Sequence, residues 1–161
     1  MVLMGPGGLA VSSFGPEVSE GAIRLREFST NPSREAMRAW IDSMLGNKAL
    51  LTDELIDERM ANALKPGVLA SAAAVFGTFA RPELAPAVPL WARAHEITTP
   101  TLITWGRDDR MLPYESSIFA FRRMPNAELH VFSNCGHWAQ VERKADFERL
   151  VAEFLTRPPA T

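Results

Sequence analysis

Thr101-Leu102-Ile103-Thr104-Trp105, running into Gly106-Arg107-Asp108-Asp109-Arg110, decides how this chain reads. A short apolar, β-branched run of this kind is what a parallel sheet buries on both faces. A helical segment from about Glu115 to Arg123 follows and ends at Pro125-Asn126. Leu129 to Phe132 is a second strand, and Phe147, Leu150, Val151, Phe154 and Leu155 mark one face of a closing helix. The order β-α-β-α makes this part α/β with a parallel pair.

A right-handed β-α-β unit points both strands the same way, so the loops after them emerge at one sheet edge. Open α/β sheets bind ligands beyond those carboxyl ends. The two loops are Gly106-Arg107-Asp108-Asp109-Arg110 and Ser133-Asn134-Cys135-Gly136-His137. Neighbouring strands lie about 4.8 Å apart, so side chains from the two loops can meet. An Asp and a His there form two thirds of a relay in which a carboxylate orients an imidazole and stabilises its cation. Asp108 and Asp109 are equally readable as turn residues, and His137 as a surface histidine. His130, on a strand, and His95, in a polar connector, read as structural. Cys135 has no neighbour that marks a lowered thiol pKa. Three scattered histidines make no zinc site.

Outward from this core, Val2-Leu3-Met4 is a short strand that stops at Gly5-Pro6-Gly7-Gly8. Its partner is either the C-terminal strands or a sheet mostly outside this chain. From about Ser19 to Thr78 the pattern is helical. Asn31 as cap and Pro32 at the first helical position start one helix, with Met37, Trp40, Ile41, Met44 and Leu45 at helical spacing. Gly46-Asn47 closes it. Thr52-Asp53-Glu54 opens the next, carrying Leu55, Ile56, Arg59 and Met60. Lys65-Pro66-Gly67 then breaks the chain before an alanine-rich helix from Val68 to about Phe79. Residues 81–100, with Pro82, Pro86, Pro89 and Pro100, form a connector. The expected division is a core strand and loop at 1–14, a helical subdomain and connector at 15–90, and an α/β core at 91–161.

At 161 residues and 47% hydrophobic, one sizeable core is possible. A net charge of −2 offers no basic footprint for nucleic acid. No apolar run approaches the roughly 20 residues that cross a bilayer. The N-terminus lacks a signal peptide's charged and apolar regions. One cysteine excludes an internal disulfide framework. A cytoplasmic protein is the expectation.

Trp105-Gly106-Arg107-Asp108-Asp109-Arg110 and Leu129 to Gln140, which includes Gly136-His137-Trp138, resemble the meta-cleavage product hydrolases. These are α/β-hydrolases that cut a carbon–carbon bond in ring-opened products of aromatic or steroid degradation. Leu3 to Leu9 resembles the segment after their nucleophile-bearing helix, and Leu51 to Arg59 resembles their lid. The resemblance implies the C-terminal part of an α/β-hydrolase fold with a helical lid and no cofactor. A small-molecule dienoate would be the substrate, and the full-length form could be a homo-oligomer. Residue by residue it implies His137 as general base and Asp109 as its orienting carboxylate, with Asp108 the adjacent alternative. Trp138 would line the pocket beside the base, and Arg59 would bind the polar end of the substrate. Met111, Leu112 and Met44 fall at pocket positions, though each also reads as core, and Met44 stands where an aromatic residue can be found.

The family needs a serine on a Gly-x-Ser-x-Gly elbow. None of the ten serines here has that frame. The elbow and the oxyanion hole are therefore expected upstream of Met1, and the 161 residues alone are expected to be inactive. An esterase or dehalogenase relative and a non-catalytic binding module are the other readings. A sheet cut beside Val2-Leu3-Met4 would leave an apolar edge open to aggregation.

Overall fold

Residues 2–4, 101–106 and 127–132 form the strands β1 (Val2–Met4), β2 (Thr101–Gly106) and β3 (Ala127–Phe132) in a computed structural model that describes residues 1–9, 18–79 and 88–158. All three are parallel, in the order β1-β2-β3. Val2 pairs with Leu102, and Thr101 to Gly106 register one for one with Ala127 to Phe132. The N-terminal strand thus takes the C-terminal strands as partners. Every residue of β2 is buried, as a central strand covered on both faces must be. Ile103 and Trp105 anchor one core cluster with Leu9, Ala94, Ala120 and Met124. Full burial of side chains this size stabilises by roughly 1.5–3 kcal/mol each. In β3 the exposed residues Glu128 and His130 alternate with half-buried Leu129 and Val131. His130 sits against the Phe132 ring at 4.3 Å.

Between β1 and β2 the chain folds into α1 (Glu20–Thr30), α2 (Arg34–Met44), α3 (Asp53–Ala63) and α4 (Val68–Phe79). Their own core joins Phe28, Met37, Ile41, Met44, Leu45 and Ile56 to Trp138. Thr52 caps α3 as expected, accepting from the Leu55 N–H at 3.2 Å. The start of α2 differs from expectation. Asn31 ends α1, its N–H bonding Glu27 O, and Ser33 caps α2 by accepting from Ala36 N–H at 3.1 Å. Pro32 disfavours the helical region for the residue before it, which pushes Asn31 out of the helix. The end of α2 falls where expected, just before Gly46-Asn47: Leu45 turns extended as its cap, and Gly46 packs so closely that a Cβ there would lie 2.9 Å from Gly136 N.

After β2 a 3-10 turn, Tyr114–Ser117, precedes α5 (Ile118–Arg123), so the α-helix begins three residues later than expected. A short α6 (Ala139–Glu142) leads into α7 (Lys144–Thr156). Phe147 and Leu150 of α7 pack on Phe132, Cys135 and Ala139. Leu155, placed on that face by periodicity, is instead 63% exposed. The boundary expected at 14/15 and the prolines Pro82 and Pro86 lie outside the described residues.

Candidate active site

Asp109 and His137 meet at the carboxyl edge of the sheet. Asp109 is three residues beyond β2 and His137 five beyond β3, and the parallel register brings the two loops side by side. Their backbones touch. Arg107 N–H bonds Phe132 O at 2.9 Å and Asp108 N–H bonds Cys135 O at 2.9 Å. A Cβ on Gly106 would lie 1.8 Å from Gly136 O, so only glycine permits this approach. Asn134 adopts a left-handed φ of 50°, which asparagine tolerates better than most residues, and this swings the chain from strand to histidine.

The Asp109 side chain has no exposure and is bonded through both oxygens. Oδ1 accepts from the N–H groups of Met111 at 2.7 Å and Leu112 at 3.0 Å. Oδ2 accepts from Trp105 Nε1 at 2.9 Å and faces His137 Nδ1 at 2.7 Å. With a carboxylate as its partner, Nδ1 is the nitrogen that carries the proton, leaving the Nε2 lone pair for chemistry. The imidazole keeps 19% exposure. It rests against Gly5 at φ +48°, where a Cβ would be 3.2 Å from Cε1. The His137 N–H donates to Met44 O at 2.8 Å. Such a pair can hold a base in one orientation and take a proton from an O–H brought to Nε2.

Asp108 faces elsewhere. It is bonded to Arg107 at 3.0 Å and to Cys135 N–H at 3.3 Å, and the Arg107 guanidinium holds its carboxyl below the usual range. Cys135 is fully buried, and burial pushes its thiol up to about 12, which leaves it unreactive at neutral pH. Trp138 is 8% exposed, and the Arg59 guanidinium lies 4.5 Å from the centre of its ring. Trp40 meets the same ring edge-on at 6.4 Å. The helical layer therefore delivers a cation to the residue beside His137. Met44 and Met111 belong to the core around Trp138, whereas Leu112 packs in the cluster under β2. The expected apolar pair Met111 and Leu112 thus divides between two cores. A depression of about 1000 Å³ bounded by Lys48, Arg107, Arg110 and Arg143 touches Asp109 but neither His137 nor Arg59, so its size does not make it the reacting side.

Two contributors escaped the sequence reading. Trp105 reads as strand core, yet its indole N–H is spent on Asp109 and on Leu112 O at 2.8 Å. A tryptophan four residues before the acid, in a strand buried throughout, is the signal available for it. Glu142 has no such signal, because two of the N–H groups it accepts, those of Gly46 and Asn47, lie 96 and 95 residues away. No group of three or more His, Cys, Asp or Glu suited to a metal occurs among the described residues.

Parallel strands flanked by helices, with a bonded aspartate and histidine at their carboxyl edge, fit part of an α/β-hydrolase fold. Residues 18–144 match the family model for the alpha/beta hydrolase fold, and the chain belongs to that family. It is 39% identical to the 2-hydroxy-6-oxo-6-phenylhexa-2,4-dienoate hydrolase of Burkholderia cepacia, over 96% of this chain and 53% of that protein. A 2-hydroxy-6-oxononadienedioate/2-hydroxy-6-oxononatrienedioate hydrolase of Comamonas testosteroni is 37% identical, over 96% and 53%. Among solved structures, a meta-cleavage product hydrolase from Pseudomonas fluorescens superposes with a TM-score of 0.77 at 34% identity, covering 96% of this chain and 54% of its own. The chain spans about half the length of the curated relatives it matches.

Proposed function

We propose that this chain carries the acid and base of a hydrolase that cuts a carbon–carbon bond in a 2-hydroxy-6-oxo-hexa-2,4-dienoate-type ring-cleavage product. The observation that carries the reading is the Asp109–His137 pair, with its carboxylate buried and its imidazole partly open, and the Arg59–Trp138 stack at the next residue. His137 Nε2 takes the proton from a serine hydroxyl or a water as its oxygen attacks the substrate ketone. The Asp109 carboxylate stabilises the imidazolium that results. When the carbon–carbon bond breaks, the electron pair passes to the leaving carbon, and the imidazolium can return the proton there. Arg59 takes the substrate carboxylate, since a guanidinium on an aromatic face remains free to pair through its edge. Helices α1 to α4 serve as the lid. Met44, Met111 and Leu112 are pocket candidates, with the burial of Met44 favouring a wall over a moving contact. The nucleophile comes from outside these 161 residues, none of whose serines stands in a Gly-x-Ser-x-Gly frame. A cytoplasmic location and a homo-oligomeric complete protein go with this reading.

The test joins the N-terminal half of the Burkholderia cepacia relative to Met1 and follows loss of the dienoate's absorbance. Turnover that disappears in His137→Ala supports the reading. Hydrolysis of simple esters without dienoate turnover would replace it with an esterase of the same fold.

A further inference from the structure

The base loop is fastened to the helical layer by one carboxylate that the catalytic reading does not use. Glu142, at the end of α6, splits its two oxygens between segments far apart in sequence. Oε2 accepts the N–H groups of Gly46 at 2.8 Å and Asn47 at 2.7 Å, just past α2. Oε1 accepts the N–H of Gly136 at 2.8 Å. The next residue is His137, whose own N–H is held by Met44 O. The peptide entering the base is thus tied twice to the turn at 44–47. The contact is close enough that a Cβ on Gly136 would lie 2.4 Å from Met44 O and 2.6 Å from Gly46 N.

We propose that Glu142 is a positioning residue for His137, fixing the base loop against the end of α2 so that Nδ1 stays on Asp109. The proposal rests on the reading of His137 as the base. Three converging N–H donors demand an acceptor with two oxygens and no donor of its own, which an ionised carboxylate supplies. Glutamine matches the shape but must turn its NH2 group toward either Gly136 or the Gly46–Asn47 pair. One side of the clamp then faces donor with donor. The ring would follow its backbone, and a hydrogen bond at 2.7 Å tolerates little displacement or tilt.

The test reads the imidazole tautomer of His137 from side-chain ¹⁵N shifts in the 161-residue chain. Three proteins are compared: wild type, Glu142→Gln, and Ala152→Gly. Ala152 is exposed on α7, so its glycine variant loosens the fold without touching the clamp. Wild type and Ala152→Gly should hold the Nδ1–H form, and Glu142→Gln should relax toward the mixture of a free imidazole. A wild-type tautomer in Glu142→Gln would overturn the proposal. So would an equal loss in Ala152→Gly at matched stability, since the effect would then be general softening. Failure of dienoate turnover in the joined enzyme, with the tautomer still dependent on Glu142, would remove the substrate assignment and leave this inference standing.

Discussion

Gly106 shows how little freedom the site allows. Its missing side chain lets the Asp109 loop pass the carbonyl of Gly136, and a methyl group would have to occupy space 1.8 Å from that oxygen. Gly106→Ala should therefore destabilise by at least the upper end of the roughly 1–3 kcal/mol typical of overpacking, read from the urea midpoint. Cys135 gives a second prediction, with its sign fixed by linkage. The folded thiol is raised from 9.0 to about 12 by burial, so the unfolded chain releases the proton first as pH rises. The contribution is whole below pH 9 and is lost toward pH 12. Urea midpoints above pH 9 should fall more steeply for wild type than for Cys135→Ala; parallel curves would refute the assignment. Arg59→Ala in the joined enzyme should lose a charge-assisted bond of about 1.5–3 kcal/mol, roughly 10- to 150-fold in kcat/KM for the dienoate. Esters lacking the carboxylate should be spared. Asp109 and His137 were legible in sequence as neighbours, because parallel strand order sends both loops to one edge, while the choice of Asp109 over Asp108 came from the family resemblance. Trp105 and Glu142 were not, since the bonds that matter depend on the direction of an indole N–H and on a loop-to-helix contact across the chain.

Helix ends repeat that lesson. Thr52 could be recognised as a cap from Asp53 and Glu54 behind it, and the hydroxyl does bond Leu55 N–H. Asn31-Pro32 looked equally good, yet proline acts on the residue before it as well as on itself, and Asn31 became the end of α1. The two assignments separate cleanly by mutation. Ser33→Ala should cost about 1 kcal/mol through loss of the bond to Ala36 N–H, whereas Asn31→Ala should stay within a few tenths, by thermal unfolding. The strands were easier to read. β2 is buried at all six positions, and its short length, its β-branched residues, Pro100 before it and Gly106 at its end mark a strand rather than a helix. The far end of α7 was harder, because periodicity marks a face but not what lies opposite each position on it, and Leu155 is left 63% exposed. The end of α2 combines these effects. Arg110 reaches the carbonyls of Asp42 and Leu45, the favourable place for a cation at a helix C-terminus, and Glu142 takes the N–H groups that follow. One turn of helix thereby holds the Asp109 loop from one side and the His137 loop from the other.

The arrangement of the sheet has a consequence for the behaviour of the chain in solution. Among the described residues β1 pairs on one side only, with β2, and its other edge is unpaired. Met1 is 43% and Met4 51% exposed along this strand. An open, apolar strand edge without charge or proline is a template for pairing with another copy, because its free N–H and C=O groups fit any extended chain. Two such edges can meet around a two-fold axis, which makes an antiparallel dimer the simplest closed product. The 161-residue chain should therefore associate with rising concentration, visible as an increasing weight-average sedimentation coefficient. A lysine on the edge strand should oppose this, since pairing would bring its ammonium against the neighbouring strand at a cost in desolvation. Met4→Lys is the suitable change, because the side chain is half exposed and its backbone bonds to β2 need not move. The variant should sediment closer to a monomer at the concentration where wild type associates, with its unfolding midpoint nearly unchanged. Equal association in both would move the contact away from β1, toward exposed apolar positions such as Leu64 and Leu155. A monomer at every concentration would mean that three residues of strand are too short an edge to hold a partner.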